Sequence, residues 1–149
     1  MNTTALIQAT LTHALKLGRF ERVNGHEPKA APGTRLTCAI WVQRISPAIG
    51  HGLAATTARV ELSVRIYSSM LAEPQDQIEP DMAAAVDDLM AAYAGDVTLG
   101  GTIRNVDLLG QAGPPMEAVA GYLTVDTTLF RIVTITLPLI VNDAWTQAA

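Results

Sequence analysis

The sequence predicts a single α+β domain, an antiparallel or mixed sheet of about five strands with two helices packed on it. Three observations predict it. Residues 36–69 alternate apolar and polar side chains in two long runs. Two other stretches, one near the amino terminus and one after residue 80, carry apolar groups at helical spacing. The last third then returns to strand-like runs separated by glycine and proline. At 149 residues the chain suits one domain that buries a sizeable core without disulfides, and neither an internal repeat nor a composition shift marks a linker.

Thr3 or Thr4 can cap a first helix running to Leu17, with Ile7, Leu11, Ala14 and Leu15 on one face and Gly18 placed to end it in a left-handed conformation. His13 falls off that stripe and, with no carboxylate near it in sequence, reads as a surface residue. Residues 19–33 are the most charged part of the chain, a short alternating piece at Phe20 and Arg22 leading into an Asn24-Gly25 turn and a proline-rich connector.

In the central runs Leu36, Cys38, Ile40 and Val42 alternate with Thr37, Ala39, Trp41 and Gln43. Val60, Leu62, Val64 and Ile66 alternate in turn with Arg59, Glu61, Ser63, Arg65 and Tyr67. Each run therefore has the period of a strand with one dry and one wet face, and the two dry faces fit side by side in one hairpin. A slip by one residue would turn either apolar set outward, which fixes the parity. The connection 46–55 is too long for a tight turn and too apolar for an idle loop.

Pro74 and Pro80 stand among acids in a connection without periodicity. Pro80 then suits the start of a second helix whose stripe is Met82, Val86, Leu89, Met90 and Tyr93 and whose end is Gly95. Gly100-Gly101 opens a third strand over 102–109. Strands over 119–125 and 129–137 form a second hairpin around Asp126-Thr127, and Pro138, with no N–H to donate, is expected at a strand end or a sheet edge. Leu139 to Trp145 remain apolar past that point, as a segment that tucks under its own domain or lies on a neighbour. Regions near 19–35, 46–55 and 110–118 read as mobile or partner-bound loops, and 138–149 as a C-terminal arm.

Ten Lys plus Arg against 14 Asp plus Glu give a net charge of −4, which argues against a surface that binds by neutralising phosphates. No apolar run approaches the roughly 18–20 residues that span a bilayer, and the amino terminus lacks a signal-peptide pattern, so no membrane is expected and the cytoplasm is the expected place of synthesis. Cys38, on an apolar strand face, reads as a small buried hydrophobe. His13, His26, His51 and Cys38 have no ligand spacing, no Gly-x-Ser-x-Gly elbow occurs, and the glycines at 50–52 and 95–101 lack the phosphate-binding pattern. The expectation is no catalytic, cofactor or metal site.

Charged residues are only 16% of the chain and hydrophobic ones 49%, a balance that leaves apolar surface for other subunits to cover. The candidate contacts in the charged segment are Arg19, Phe20, Arg22, His26 and Glu27, of which the four polar residues with Lys29 could form an intersubunit ion-pair set or bind a carboxylate. Ile49 and Leu53 in the central connection, and Leu139, Val141 and Trp145 in the tail, complete the set.

Four stretches carry a family resemblance: Leu17-Gly18-Arg19-Phe20-Glu21-Arg22-Val23-Asn24-Gly25-His26-Glu27-Pro28-Lys29, Val64-Arg65-Ile66-Tyr67-Ser68-Ser69-Met70, Arg104-Asn105-Val106-Asp107-Leu108-Leu109-Gly110, and Leu137-Pro138-Leu139-Ile140-Val141-Asn142-Asp143. With the hairpin between them, the chain from Thr4 to Trp145 resembles the tail terminator proteins of long-tailed bacteriophages. The resemblance implies a small α+β subunit, without cofactor, that closes into a hexameric ring in the virion at the head-proximal end of the tail. Such a ring stops polymerisation of the major tail tube protein, offers its other side to the head-tail connector, and lets DNA pass without sequence-specific binding. Two other readings fit the residues: a tail completion or head-tail connector protein of the same particle, and, in a different class, a small-ligand-binding or enzymatic α+β domain.

Overall fold

The structure is a computed structural model, and it describes residues 1–33, 35–48 and 55–146. Helices α1 (Thr3–Leu17) and α2 (Ile78–Gly95) lie on one face of a mixed sheet built from β1 (Arg22–Asn24), β2 (Thr37–Ala48), β3 (Ala55–Ser69), β4 (Asn105–Val106), β5 (Glu117–Val125) and β6 (Thr128–Thr146). The order across the sheet is β1-β2-β3-β6-β4, with β5 also paired to β6. Only β1–β2 is parallel. The fold is thus the α+β single domain expected, with one strand more than the sequence suggested.

The central hairpin has the expected parity. Cys38 lies opposite Ile66, Ile40 opposite Val64 and Val42 opposite Leu62, and Val60, Leu62, Val64 and Ile66 are fully buried beneath Leu6, Met82, Leu89 and Tyr93 from the helices. Burial pushes the Cys38 thiol up to about 12, so it stays a neutral hydrophobe.

The helices differ from expectation in detail. Asn2, rather than Thr3 or Thr4, caps α1, its Oδ1 accepting from the Ala5 N–H at 3.1 Å. Gly18 closes the helix at φ 66°, a left-handed conformation that glycine adopts without penalty. The buried line of α1 is Leu6, Thr10 and Ala14, flanked by Ile7 and Leu11, while Leu15 is exposed. Thr10 can sit on that line because its hydroxyl donates back to the Leu6 carbonyl at 2.9 Å, leaving only a methyl to bury. In α2 the inward line is Ile78, Met82, Ala85, Leu89 and Tyr93, so Val86 and Met90 flank the core instead of centring it.

Two expectations about strands fail. The third strand shrinks to β4, two residues, because Thr98 to Arg104 form tight turns in which Gly100 and Gly101 have positive φ. Pro138 neither ends a strand nor marks a sheet edge. β6 runs straight through it for 19 residues, and its second half is the segment expected as a C-terminal arm. The reason is directional. Pro138 O accepts from the Asp107 N–H, so the proline nitrogen, on the same side of the strand, points away from β3 toward the gap between β4 and β5 and no ladder donor is lost. Asp126 and Thr127, both at positive φ, make the tight turn expected between β5 and β6.

Candidate assembly surfaces

The sheet face away from the helices, expected to be wet, is largely closed. Ala39, Tyr67, Phe130 and Ile132 form a second apolar cluster there, covered in part by Ala31 of the connector and by Leu123 and Val125 of β5. Tyr67 and Phe130 meet edge to face at 6.1 Å. Further along the same face Arg59 and Glu61 are 3% and 7% exposed. Arg59 Nη1 lies 3.0 Å from Glu61 Oε1, its Nε lies 3.4 Å from Asp107 Oδ2, and its Nη2 donates to the Pro114 carbonyl. Asp107 accepts in addition from the Gln111 and Ala112 N–H groups at 2.8 and 3.0 Å. Burial works against its charge, but those two amides and the guanidinium outweigh it and hold the carboxyl below the usual carboxylate range. A Cβ on Gly113 would stand 2.7 Å from the Arg59 guanidinium carbon, so any larger residue there would have to displace that buried side chain. One buried cation thus folds the segment from Asp107 to Pro114 onto the sheet.

The charged segment is only partly brought together. Arg19 pairs with Asp88 of α2, Phe20 packs at the margin of the core, and the Nδ1–H of His26 donates to the Glu27 carbonyl at 3.2 Å. Arg22, His26 and Lys29, with Asn24 between them, line a shallow open cleft of 520 Å³, and Glu27 lies outside it. Among the described residues Arg19, Arg22, His26, Glu27 and Lys29 form no ion pair with one another within the chain.

Of the tail residues, Leu139 is fully buried on the helix side opposite Val60 and has no surface to offer a neighbour. Val141 is half-buried against the same core. Trp145 is 40% exposed at the far end of β6, and Ile45 of β2 is 43% exposed at the same end of the sheet. Ile49 and Leu53 lie outside the described residues.

Residues that the sequence did not single out make a second exposed region. Val119 and Tyr122 of β5 are 60% and 61% exposed, and Leu109 of the neighbouring loop is 85% exposed. Arg131 of β6 stacks on Tyr122, 4.8 Å from the ring centre, and forks onto Glu79 of α2 at 3.0 and 3.2 Å. Its side-chain hydrogen bonds lower the Glu79 carboxyl and raise the guanidinium in turn. His13 corrects another expectation. Its Nε2 is 3.0 Å from Asp96 Oδ2 and its ring stands edge-on to Tyr93, so it ties α1 to the end of α2 instead of facing solvent freely. Among the described residues no group of three His, Cys, Asp or Glu could hold a metal ion, and no helix is long and apolar enough to cross a membrane. No protein-family model matches the chain, and a search of curated proteins finds no match.

Proposed function

We propose that this chain is a structural virion protein whose copies close into a ring, hexameric if the resemblance holds, that caps the tail tube of a long-tailed phage. In this reading the ring ends tube polymerisation, joins the head-tail connector on its other side and leaves a channel for DNA. It uses no cofactor and performs no catalysis. One observation carries the reading beyond the resemblance. Within the sheet, exposed apolar side chains stand at two separate places, Ile45 and Trp145 at one end of the strands, and Val119, Tyr122 and Leu129 along β5 and its β6 partner beside Leu109 of the loop, while Leu15, Leu71 and Val97 are exposed outside the sheet. A ring uses heterologous contacts, in which one patch meets a different patch of the next copy, and so needs two such regions, whereas a lone small domain gains nothing from either.

The test is to add the purified protein to polymerising tail tube protein and image the products. The reading expects tubes of arrested length bearing a ring at one end. Substituting Ile45→Asp together with Trp145→Asp should abolish capping while leaving the circular dichroism unchanged. Tubes that lengthen equally with and without the wild-type protein would sink the proposal.

A further inference from the structure

We infer that the outer edge of β5 receives β1 of a neighbouring copy in antiparallel register, so that the sheet of one subunit continues into the next; this rests on the self-assembling ring proposed above. Among the described residues nothing pairs with the outer side of β5. Even-numbered β6 residues direct their amides away from β3, as the Pro138 and Ile140 carbonyls do, so the residues they face in β5 use theirs inward. The amides of Ala118, Ala120, Tyr122 and Thr124 are left pointing outward.

Open edges of this length are normally guarded by a bulge, a basic side chain or a proline. The other long edge of this sheet has all three. Past β1, β2 has a register shift between Val42 and Arg44, an exposed Arg44 side chain, and Pro47. β5 has no bulge, basic side chain or proline, and its one charge is Glu117 at its first residue: its nine residues are Glu-Ala-Val-Ala-Gly-Tyr-Leu-Thr-Val. An edge left open beside an edge so thoroughly closed is what a specific strand addition needs.

The occupant follows from height and direction. One cross-strand row runs Arg22, Thr37, Tyr67, Ile132, Gly121, and a second runs Asn24, Ala39, Arg65, Thr134, Val119. β1 and the middle of β5 therefore stand at the same level on opposite sides of the sheet. Rotation without rise, the operation that closes a ring, brings such level edges together. The two strands run in opposite directions, so they meet antiparallel. At that level Arg22 stands opposite Gly121 of the next copy and Asn24 opposite Val119. β1 is only three residues long, so a single joint is weak and gains from ring closure, in which every copy makes two.

Hydrogen exchange of the full chain at rising concentration, with sedimentation velocity alongside, tests this. Assembly should slow exchange of the outward amides of Ala120 and Tyr122 and of the β1 amides together. Ala120→Pro removes an outward N–H without touching the β6 ladder and should weaken association about tenfold, the worth of roughly one hydrogen bond. Rings whose β5 amides exchange as fast as in the dilute monomer overturn the strand joint and leave the ring standing, as does an Ala120→Pro variant that associates unchanged. A two-fold dimer that protects β5 but not β1 overturns it too. Wild-type protein that stays monomeric at every concentration, with and without tube protein, removes the ring itself.

Discussion

The two faces of β3 solve burial in opposite ways. On the helix side Val60, Leu62, Val64 and Ile66 are dry because α1 and α2 lie over them, and every contact is dispersion and lost hydration. On the other side Arg59, Glu61 and Ser63 are almost as inaccessible, yet each needs a named partner: Asp107 and Pro114 for Arg59, Arg59 again for Glu61, Gln43 for Ser63. The first face tolerates a change of shape at graded cost. The second stands or falls by its partners, since a buried charge left alone is costly.

The sharpest way to break that contrast is Arg59→Leu, which removes the buried cation from Glu61 and Asp107 together. By the behaviour of broken buried pairs it should cost about 3–5 kcal/mol in chemical denaturation and release the Asp107–Pro114 segment to proteolysis. Leu62→Ala on the opposite face should cost about 2–5 kcal/mol by leaving a cavity, with no local release of that loop. Equal loop cleavage in the two variants would show that the faces are not independent. Acid sharpens the comparison further. Asp107 has its carboxyl lowered in the folded state, so its contribution is complete above the ordinary carboxylate pKa of about 3.9 and is lost as pH falls through the lower folded value. The thermal midpoint of the wild type should therefore fall more steeply through the acid range than that of Asp107→Asn. Asn2→Ala, which touches neither face, should cost about 1 kcal/mol through the lost cap. Smallest of all, Val119→Lys should leave monomer stability within about 0.5 kcal/mol, whatever it does to assembly.

Much of this architecture was legible because period and parity are local properties. The alternation from Val60 to Ile66 set the hairpin register, Asp126-Thr127 marked the β5–β6 turn, and Gly18 marked a helix end. What sequence reading missed depends on partners far along the chain. Arg59 and Glu61 look solvent-facing until Asp107 and Pro114 arrive, and His13 looks idle until Asp96 does. Pro138 looks like a terminus unless the side on which its nitrogen lies is known. Leu139 and Trp145 looked alike as tail residues, but one is fully buried and the other 40% exposed, because at that end of β6 it is the neighbouring Ala144 that packs into the core. The open side of β5 carried one readable sign, a nine-residue strand with neither lysine, arginine nor proline.

The interruption at Pro138 gives β6 a divided flank, β4 bonded to its distal half and β5 to its proximal half, with β3 continuous along the other side. Fraying need not travel across such a division. β5 can peel back and re-zip as its own small cooperative unit while β4 and the Asp107 turn stay seated, so the rim of the subunit can adjust to whatever it meets without loosening the interior.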